Sequence, residues 1–391
     1  MVNNLLCASH ERLKPIKRRL QALKRGQRFM VQEDEGFAPP LNFDADTTTR
    51  KKKGVHRPQF APVFTHPAHQ RNKPSKVHLL VNPYAGKRKG AAIGERVKAR
   101  LEQEGVEVTL SQSAYSGHLV TLASALVVGE NEPIVAVGGD GTLCEVISGR
   151  MLLNLEQRQT FAIVPAGTGN SQANDLNLAT VDDAVEAILA GQVQALDLAR
   201  VELTEGLPGN EGERMVRFSH NLVTWGLGVD SNIQAERMRW LGPARYDVGI
   251  LLAILANRKR SATLTINGRS VTDAFTLFLV QNSQTGGSLL PLAPGASVDD
   301  GEMDIGVLKR MKRGQILKAF GMLKAEGRHV FHPKVDYHRF TSLAITTDEP
   351  TAINVDGENF GSTPLMMNVL KHAVDIVVPV QNEKSENSSS S

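Results

Sequence analysis

Two glycine-rich loops, each lying between a short apolar segment and a helical pattern, constrain the fold more than any other feature. Residues 134–137 are followed by Gly-Gly-Asp-Gly-Thr at 138–142, and residues 161–164 by Pro-Ala-Gly-Thr-Gly-Asn at 165–170. Short apolar runs that alternate with helical patterns are typical of a mainly parallel, doubly wound sheet. Because ligand loops lie at the carboxyl ends of such strands, we expect the two loops side by side at one site.

The segments around these loops extend the pattern. Residues 77–81 predict a first strand that ends in a turn at Asn82, Pro83 and Gly86, and residues 106–110 predict a second strand. From about Asp197 the pattern becomes β-rich, which indicates a second, antiparallel β domain. The expected parts are a basic flexible extension (1–75), an α/β domain (76–195), a β-rich domain whose last segment could return to the first domain (196–380) and a disordered tail (381–391).

The charge of the chain is concentrated at its start. The net charge is +4, but residues 1–75 hold 15 Lys and Arg against 6 Asp and Glu, so the remainder is about −5. We therefore expect no nucleic-acid partner, because basic residues are not spread over the folded domains. Within the extension, Leu13, Ile16, Leu20 and Leu23 form one face of a basic helix. This helix could bind an anionic membrane or be a solvated arm, and residues 47–53 and 56–74 are predicted as linker.

Cysteine content and apolar segments bear on the compartment. Cys7 and Cys144 are the only cysteines, which excludes a disulfide framework and favours a reducing environment. The longest apolar stretch, near residues 248–256, is less than half of the roughly 20 residues that cross a bilayer. We expect a cytoplasmic protein, peripheral at the membrane, although the basic start would also suit a mitochondrial transit peptide.

The glycine-rich loops indicate binding of phosphate. Glycines allow the backbone to approach an anion, and the N–H groups at a helix start can hold phosphate oxygens. Two adjacent loops suit a nucleotide triphosphate, and Lys87, Arg88 and Lys89 could add positive charge. Asp140 could hold Mg²⁺, accept a proton or only cap a helix. The spacing matches neither the Walker P-loop nor the Rossmann motif.

Two acidic loops lie in the β-rich part. Asp299, Asp300 and Asp304 could bind a hard cation, but a hairpin turn explains them equally well. Asp356, Gly357 and Glu358 follow an alternating apolar segment, which is a strong signal for a hairpin.

Taken in order, these motifs resemble the diacylglycerol kinase catalytic-domain superfamily, which includes bacterial diacylglycerol kinases, sphingosine kinases and ceramide kinases. The resemblance covers about residues 76–379 and rests on five segments: VNPYAG (81–86), VGGDGT (137–142), VPAGTGN (164–170), LAPGASVDDGEMDI (292–305) and VDGE (355–358). It implies an α/β ATP-binding domain followed by an antiparallel β-sandwich domain that binds the lipid, with the active site in the cleft between them. The implied activity is transfer of the γ-phosphoryl group of ATP to a lipid primary hydroxyl at a membrane surface.

The resemblance also implies roles for individual residues. Glu358 resembles the proton acceptor, a part that sphingosine-kinase mechanisms often give to the residue matching Asp140, and Asp197 resembles a supporting carboxylate. Asp300 resembles the acidic member of the magnesium site, whose other ligands, at Ser297 and Glu302, would be largely backbone carbonyls. Those that resemble the ATP-contacting set are Asn82, Gly86, Ser113, Gly138, Gly139, Asp140, Gly141, Thr142, Gly167, Thr168, Gly169 and Asn170.

Several alternatives stay open at this point. Ser171 stands where bacterial diacylglycerol kinases usually have Asp, which is closer to sphingosine-kinase-like members, so diacylglycerol, long-chain bases and ceramide are all candidate acceptors. Residues 251–255, with Trp240, Leu241 and Tyr246, could line the acyl chains or be ordinary core. An NAD kinase, a non-catalytic lipid- or nucleotide-binding homologue and a homodimer are the remaining hypotheses.

Overall fold

The computed structural model describes residues 36–43, 45–46, 56–209, 211–287 and 289–380. The basic helix expected around residues 13–28 and the tail from residue 381 lie outside these ranges.

The first part of the chain alternates strands and helices. Apolar residues fill the central strands β1 and β3, which are almost wholly buried. The strands are parallel and lie in the order β2–β1–β3–β4, and the helices pack in two pairs, α1 with α5 and α2 with α3. The elements are β1 (Lys76–Val81), α1 (Gly90–Gln103), β2 (Glu107–Gln112), α2 (His118–Ala125), β3 (Ile134–Gly138), α3 (Asp140–Met151), β4 (Thr160–Pro165), α4 (Ser171–Asp175) and α5 (Val181–Ala190).

The second part consists mainly of antiparallel strands with three helices inserted between them. Its elements are β5 (Gln192–Glu205), β6 (Arg214–Ser219), β7 (Leu222–Gly226), α6 (Leu227–Arg237), α7 (Arg245–Ala256), β8 (Arg260–Ile266), β9 (Arg269–Gln281), β10 (Met303–Lys309), α8 (Arg313–Lys324), β11 (Val335–Phe340), β12 (Ser342–Thr346), β13 (Ala352–Val355) and β14 (Glu358–Val377). A 3₁₀ segment, Arg239–Ala244, leads into α7.

Six of these strands pair in a closed ring, in the order β9–β7–β13–β14–β12–β8 and back to β9. Trp225 and Phe278 stack inside the ring, with ring centroids 4.8 Å apart. They belong to a buried cluster that includes Leu264, Ile305 and Phe340. Closure of the ring leaves no free edge among these six strands and encloses the core of the second part.

The long strand β14 links the two parts. Its first half belongs to the ring, and near its end Asp375 and Ile376 pair in parallel with Thr160 and Phe161 of β4. The strand β5 pairs with β14 along much of its length and runs through the expected domain boundary at residues 195/196. The parallel and antiparallel strands therefore belong to one hydrogen-bonded sheet, and no linker separates them at that boundary.

Residues 56–74 are not the linker that the sequence predicted. Thr65 and His66 donate to the buried carboxylate of Asp299 through both backbone N–H groups, at 2.7 and 2.9 Å, and Arg71 forms an ion pair with the buried Asp375. Buried carboxylates require partners because loss of hydration is costly. Because Thr65, His66 and Arg71 supply these partners, the 56–74 segment is attached to the body of the protein.

Candidate functional site

The two glycine-rich loops contact each other directly. The carbonyl oxygen of Gly138 accepts hydrogen bonds from the backbone N–H groups of Ala166 and Gly167, at 2.8 and 3.1 Å. Asn170 closes the second loop, since its Oδ1 accepts from the Gly167 N–H at 2.9 Å and its Nδ2 donates to the Gly167 carbonyl at 3.1 Å. The carboxyl ends of β3 and β4 thus bring the loops together, as expected from the parallel sheet.

Asp140 joins the first loop to the helix after the second. Its Oδ2 accepts from the Ser171 N–H and its Oδ1 from the Gln172 N–H, each at 3.0 Å. The sequence left open whether Asp140 only caps a helix. In the structure it begins α3 and binds the first N–H groups of the neighbouring α4 instead. This arrangement fixes both loops relative to the Asp140 carboxylate.

The turn after β1 approaches the second loop closely at Gly86. A Cβ atom at this position would overlap the carbonyl oxygen of Ala166, and the φ angle of 54° is in the left-handed region that favours glycine. Lys87 and Arg88 also have positive φ angles, of 63° and 67°. A strained backbone of this kind is typical of ligand-binding loops.

We expect Gly86→Ala to weaken binding of ATP, the nucleotide that the resemblance implies. Gly105→Ala is the matched control, because Gly105 has a φ of 78° but no neighbour within 4 Å of its Cβ position. The control should lower the free energy of unfolding by about 1 kcal/mol through backbone strain alone. Gly86→Ala should lower it further and raise the Kd for ATP at least about tenfold, about 1.4 kcal/mol. Denaturant unfolding measures the free energy of unfolding, and calorimetric titration measures the Kd for ATP. If Gly86→Ala and Gly105→Ala change both quantities equally, the contact between Gly86 and Ala166 has no role in binding.

Asp356 and Gly357 form the two-residue turn of the hairpin between β13 and β14, as the sequence predicted. Both residues have positive φ, 46° and 95°, and Val355 pairs with Glu358 across the turn, which defines a type I′ turn. The buried Asp356 carboxylate accepts from four donors. They are the Ser219 hydroxyl at 3.1 Å and the backbone N–H groups of His220, Asn221 and Leu222 at 3.1, 3.1 and 2.7 Å.

This hairpin places Glu358 against the first glycine-rich loop. A Cβ atom built on Gly141 would lie 3.1 Å from Glu358 Oε1 and 3.5 Å from the carbonyl oxygen of Asp356. Glu358 and Asp140 are more than 200 residues apart in sequence but lie around the same loop. The two proton-acceptor candidates therefore share one site.

His220 is a site residue that the sequence did not reveal. It is fully buried, its Nε2 donates to the carbonyl of Asp140 at 3.0 Å, and its Nδ1 lies 3.1 Å from Oε1 of Gln172. Since its backbone N–H also binds Asp356, His220 connects the Asp140 loop, α4 and the Glu358 hairpin. A single histidine in a β-rich segment gives no pattern that could have indicated this position.

A cavity of about 660 Å³ lies in front of these loops. Its polar lining includes Asp140, Glu358 and Lys87, and its apolar lining comes from the second part. Of the residues expected to contact ATP, the cavity is lined by Asn82, Gly86, Gly139, Asp140, Gly141, Thr142, Gly167, Thr168, Gly169 and Asn170. The apolar side chains are Leu222, Leu227, Ile250, Leu277, Leu279, Leu290, Leu292, Phe320 and Leu323.

Other expected site residues do not line this cavity. Ser113 follows β2, where its N–H donates to the carbonyl of Val81 at 2.9 Å. Asp197 is buried beside the acidic loop, and its carboxylate accepts from the backbone N–H groups of Gly301 and His372. Burial raises the pKa of the Asp197 carboxyl to about 6.

The expected magnesium ligands do not form a cluster of metal-binding side chains. The Ser297 hydroxyl donates to the Pro62 carbonyl at 2.6 Å, and an Asp300 oxygen lies 3.9 Å from an Arg339 nitrogen. Within the described ranges, no group of three or more His, Cys, Asp or Glu side chains could hold a metal ion. Because Ser297 and Glu302 are expected to bind largely through backbone carbonyl oxygens, this absence does not bear on them, and the magnesium site at this loop stays a prediction.

The buried Asp197 makes stability depend on pH. The pKa of its carboxyl is about 6 in the folded chain against 3.8 for the ordinary group, so ionisation costs more in the folded state. The stability that the protonated Asp197 carboxyl contributes is fully present below about pH 4. It is lost as the pH rises through 6, which lowers the free energy of unfolding by about 3 kcal/mol.

We expect Asp197→Asn to remove this dependence. Urea titrations from pH 4 to pH 7 should show the unfolding free energy of the variant rising by up to about 3 kcal/mol relative to wild type. A difference between the two proteins that does not change with pH would contradict the assignment.

Comparison with known families identifies the class that this fold and these loops define. Residues 76–201 match the diacylglycerol kinase catalytic domain, and residues 221–378 match the YegS C-terminal NAD kinase beta sandwich-like domain. Together the two matches account for most of the chain, in the order implied by the sequence motifs. The chain belongs to the diacylglycerol kinase catalytic-domain superfamily, and it is an enzyme, a lipid kinase.

Curated relatives carry two kinds of name. A diacylglycerol kinase of Bacillus subtilis (strain 168) is 24% identical over 314 residues, which cover 80% of this chain and 98% of the relative. Sphingosine kinase 1 of Arabidopsis thaliana is 26% identical over 344 residues, which cover 73% of this chain and 68% of the relative. A crystal structure of a diacylglycerol kinase from Bacillus anthracis str. Sterne is similar in fold, with a TM-score of 0.63, 22% identity, and coverage of 79% of this chain and 98% of that chain.

In the part of the chain that the structure describes, no helix is both long enough and apolar enough to cross a bilayer.

Proposed function

We propose that this protein transfers the γ-phosphoryl group of ATP to the primary hydroxyl of a membrane lipid, diacylglycerol or a sphingoid base or ceramide. One observation carries the proposal: a single cavity joins the glycine-rich loops and two carboxylates to an apolar wall. The glycine-rich loops suit the phosphates of a nucleotide, and the apolar wall suits an acyl or sphingoid chain. The active site is then the cleft between the parallel and antiparallel parts.

The glycine-rich loops are proposed to hold the triphosphate. Their backbone N–H groups and the start of α3 suit phosphate oxygens, and Lys87 lines the same cavity. Magnesium that arrives with ATP belongs to the substrate and neutralises charge on the transferred group. Most of the rate acceleration then comes from positioning and from stabilisation of charge.

Glu358 is proposed as the general base and Asp140 as a positioning carboxylate. Both oxygens of Asp140 bind the backbone of α4, an arrangement that supports a role in holding the loops. Glu358 lies against Gly141 and lines the cavity, where a lipid hydroxyl could reach it. In this assignment Glu358 accepts the hydroxyl proton as the oxygen attacks the γ-phosphorus and the bond to the β-phosphate oxygen breaks.

The test is phosphate transfer from labelled ATP to diacylglycerol, sphingosine, ceramide and NAD in parallel, in mixed micelles with and without Mg²⁺. Magnesium-dependent labelling of a lipid, abolished in Glu358→Gln that still folds, is the expected result. Labelling of NAD alone would overturn the proposal, and so would lipid labelling that Glu358→Gln leaves unchanged. Glu349→Gln, at an exposed position, is the matched control and should retain full activity.

A further inference from the structure

The helix α7 is apolar on both of its faces, although one of them is turned to solvent. Leu251, Leu252 and Leu255 lie on one face with 48%, 41% and 54% of their surface exposed, and Trp240, just before the helix, is 81% exposed. Ala253 and Ile254 are buried on the other face. We call the first three leucines and Trp240 the α7 face. A helix that is apolar all round normally lies in a core or against a membrane.

The sequence left open whether residues 251–255 and Trp240 line the acyl chains or form ordinary core. For the α7 face, the structure supports neither interpretation. Among the described side chains of α7, those of Arg245 and Ile250 line the cavity. The leucines of the α7 face occupy the opposite side, and among the described residues none covers them enough to bury them.

Basic residues are frequent in α7 and in the segment that packs beside it. Residues 245–260 and 309–324 contain ten Lys and Arg and one acidic residue, whereas the chain beyond residue 75 carries a net charge of about −5. The two segments are adjacent, because Arg313 Nε donates to the Leu255 carbonyl at 2.8 Å and Lys324 binds Asp247 at 2.7 Å. Four of the ten basic residues form ion pairs with Asp230, Glu236, Asp247 and Asp336, and the surface keeps a positive excess.

We propose that the α7 face docks on an anionic lipid bilayer, with its leucines and Trp240 in the interface and the nearby Lys and Arg on the headgroups. Exposed Leu and Trp beside basic residues is the composition that binds such an interface. Each Lys or Arg near an anionic surface adds favourable electrostatic attraction.

Charge complementarity selects this occupant over two others. The basic extension of this chain is predicted to have an apolar face, but its positive charge would be repelled by the basic residues near α7. A second copy packed symmetrically on the same face would bring the two basic surfaces together in the same way. An anionic bilayer supplies both the apolar interior and the opposite charge.

The position of α7 gives the docking a consequence. Because Ile250 lies at the cavity and Leu251 faces solvent, one helix separates the cavity from the proposed membrane. A docked α7 would place the apolar lining of the cavity next to the bilayer. The docking inference does not depend on the proposed reaction, since binding to vesicles requires neither ATP nor turnover.

Tryptophan fluorescence offers a direct test, because the chain has two tryptophans and Trp225 is buried with 1% exposed. Full-length protein is titrated with phosphatidylcholine vesicles that contain phosphatidylglycerol and brominated acyl chains, and with vesicles of phosphatidylcholine alone. We expect a blue shift and bromine quenching of Trp240 on the anionic vesicles, absent in Trp240→Phe, and weakening at high salt.

Vesicle flotation of variants identifies the surface that binds. Leu251→Gln with Leu255→Gln should reduce partitioning at least about tenfold, since two apolar side chains are lost from the interface. The matched control is Leu152→Gln with Leu155→Gln, two exposed leucines of the first part, which should bind like wild type. Ile16→Asp with Leu20→Asp tests the extension.

Three outcomes would overturn the inference. Loss of binding only in the extension variant would assign the membrane contact to the extension. Unchanged flotation of the Leu251 and Leu255 variant, with Trp240 still open to aqueous quenchers, would exclude the α7 face. Self-association in sedimentation that this variant abolishes, without vesicle binding, would assign the face to a second copy.

Discussion

Replacing Glu358 by Gln is expected to lower kcat by about 10²–10⁴, the range for removal of a general base, while the fold and the KM for ATP stay near wild type. The amide keeps the size of the side chain but cannot accept the lipid hydroxyl proton. Glu358 lies against Gly141 and lines the cavity, so its loss should affect chemistry rather than nucleotide binding. Steady-state kinetics with the lipid identified by the transfer assay gives both parameters.

Asp140→Asn distinguishes a positioning residue from a base. Asn can accept only one of the two backbone hydrogen bonds that Asp140 receives from Ser171 and Gln172, so the second loop should loosen. We expect the KM for ATP to rise together with the loss of kcat. If instead Asp140→Asn lowers kcat at constant KM and Glu358→Gln retains more than about a tenth of the activity, the two roles are reversed.

Asp356→Ala is expected to lower the free energy of unfolding by about 3–5 kcal/mol, as for the loss of one partner from a buried charged network. The substitution removes the acceptor of one hydroxyl and three backbone N–H groups and leaves these donors buried. Because the same residue forms the turn before Glu358, activity should also fall in the folded variant.

Denaturant unfolding measures the effect, with Asp348→Ala as the control. Asp348 is exposed on a loop and should change stability by less than about 0.5 kcal/mol. Asp356→Asn should be intermediate, because its amide oxygen still accepts. A loss below about 1 kcal/mol for Asp356→Ala would mean that its four donors find other partners.

Local patterns predicted the parts of the site that depend on neighbouring residues. The two glycine-rich loops follow strands and precede helices, and Asp356 with Gly357 forms the expected hairpin turn. These features rest on backbone conformations that only certain residues adopt and on the fixed geometry of a parallel sheet. Sequence spacing is sufficient to read them.

Partners distant in sequence were not predictable in this way. His220 contacts Asp140 and Asp356 across 80 and 136 residues, and Asp299 binds a segment more than 230 residues away. The 56–74 segment was therefore predicted as a linker, since nothing in its own composition reveals the buried carboxylates that bind it.

The sequence by itself determined the class of the protein and the position of the two glycine-rich loops, because glycine, turn and strand preferences act over a few residues. Only the tertiary structure decided which carboxylate meets which loop, where Asp197 lies, and which apolar residues of α7 stay exposed. Those outcomes depend on packing between strands far apart in the chain, above all on β14, which pairs with both parts of the sheet and places Glu358 beside Gly141.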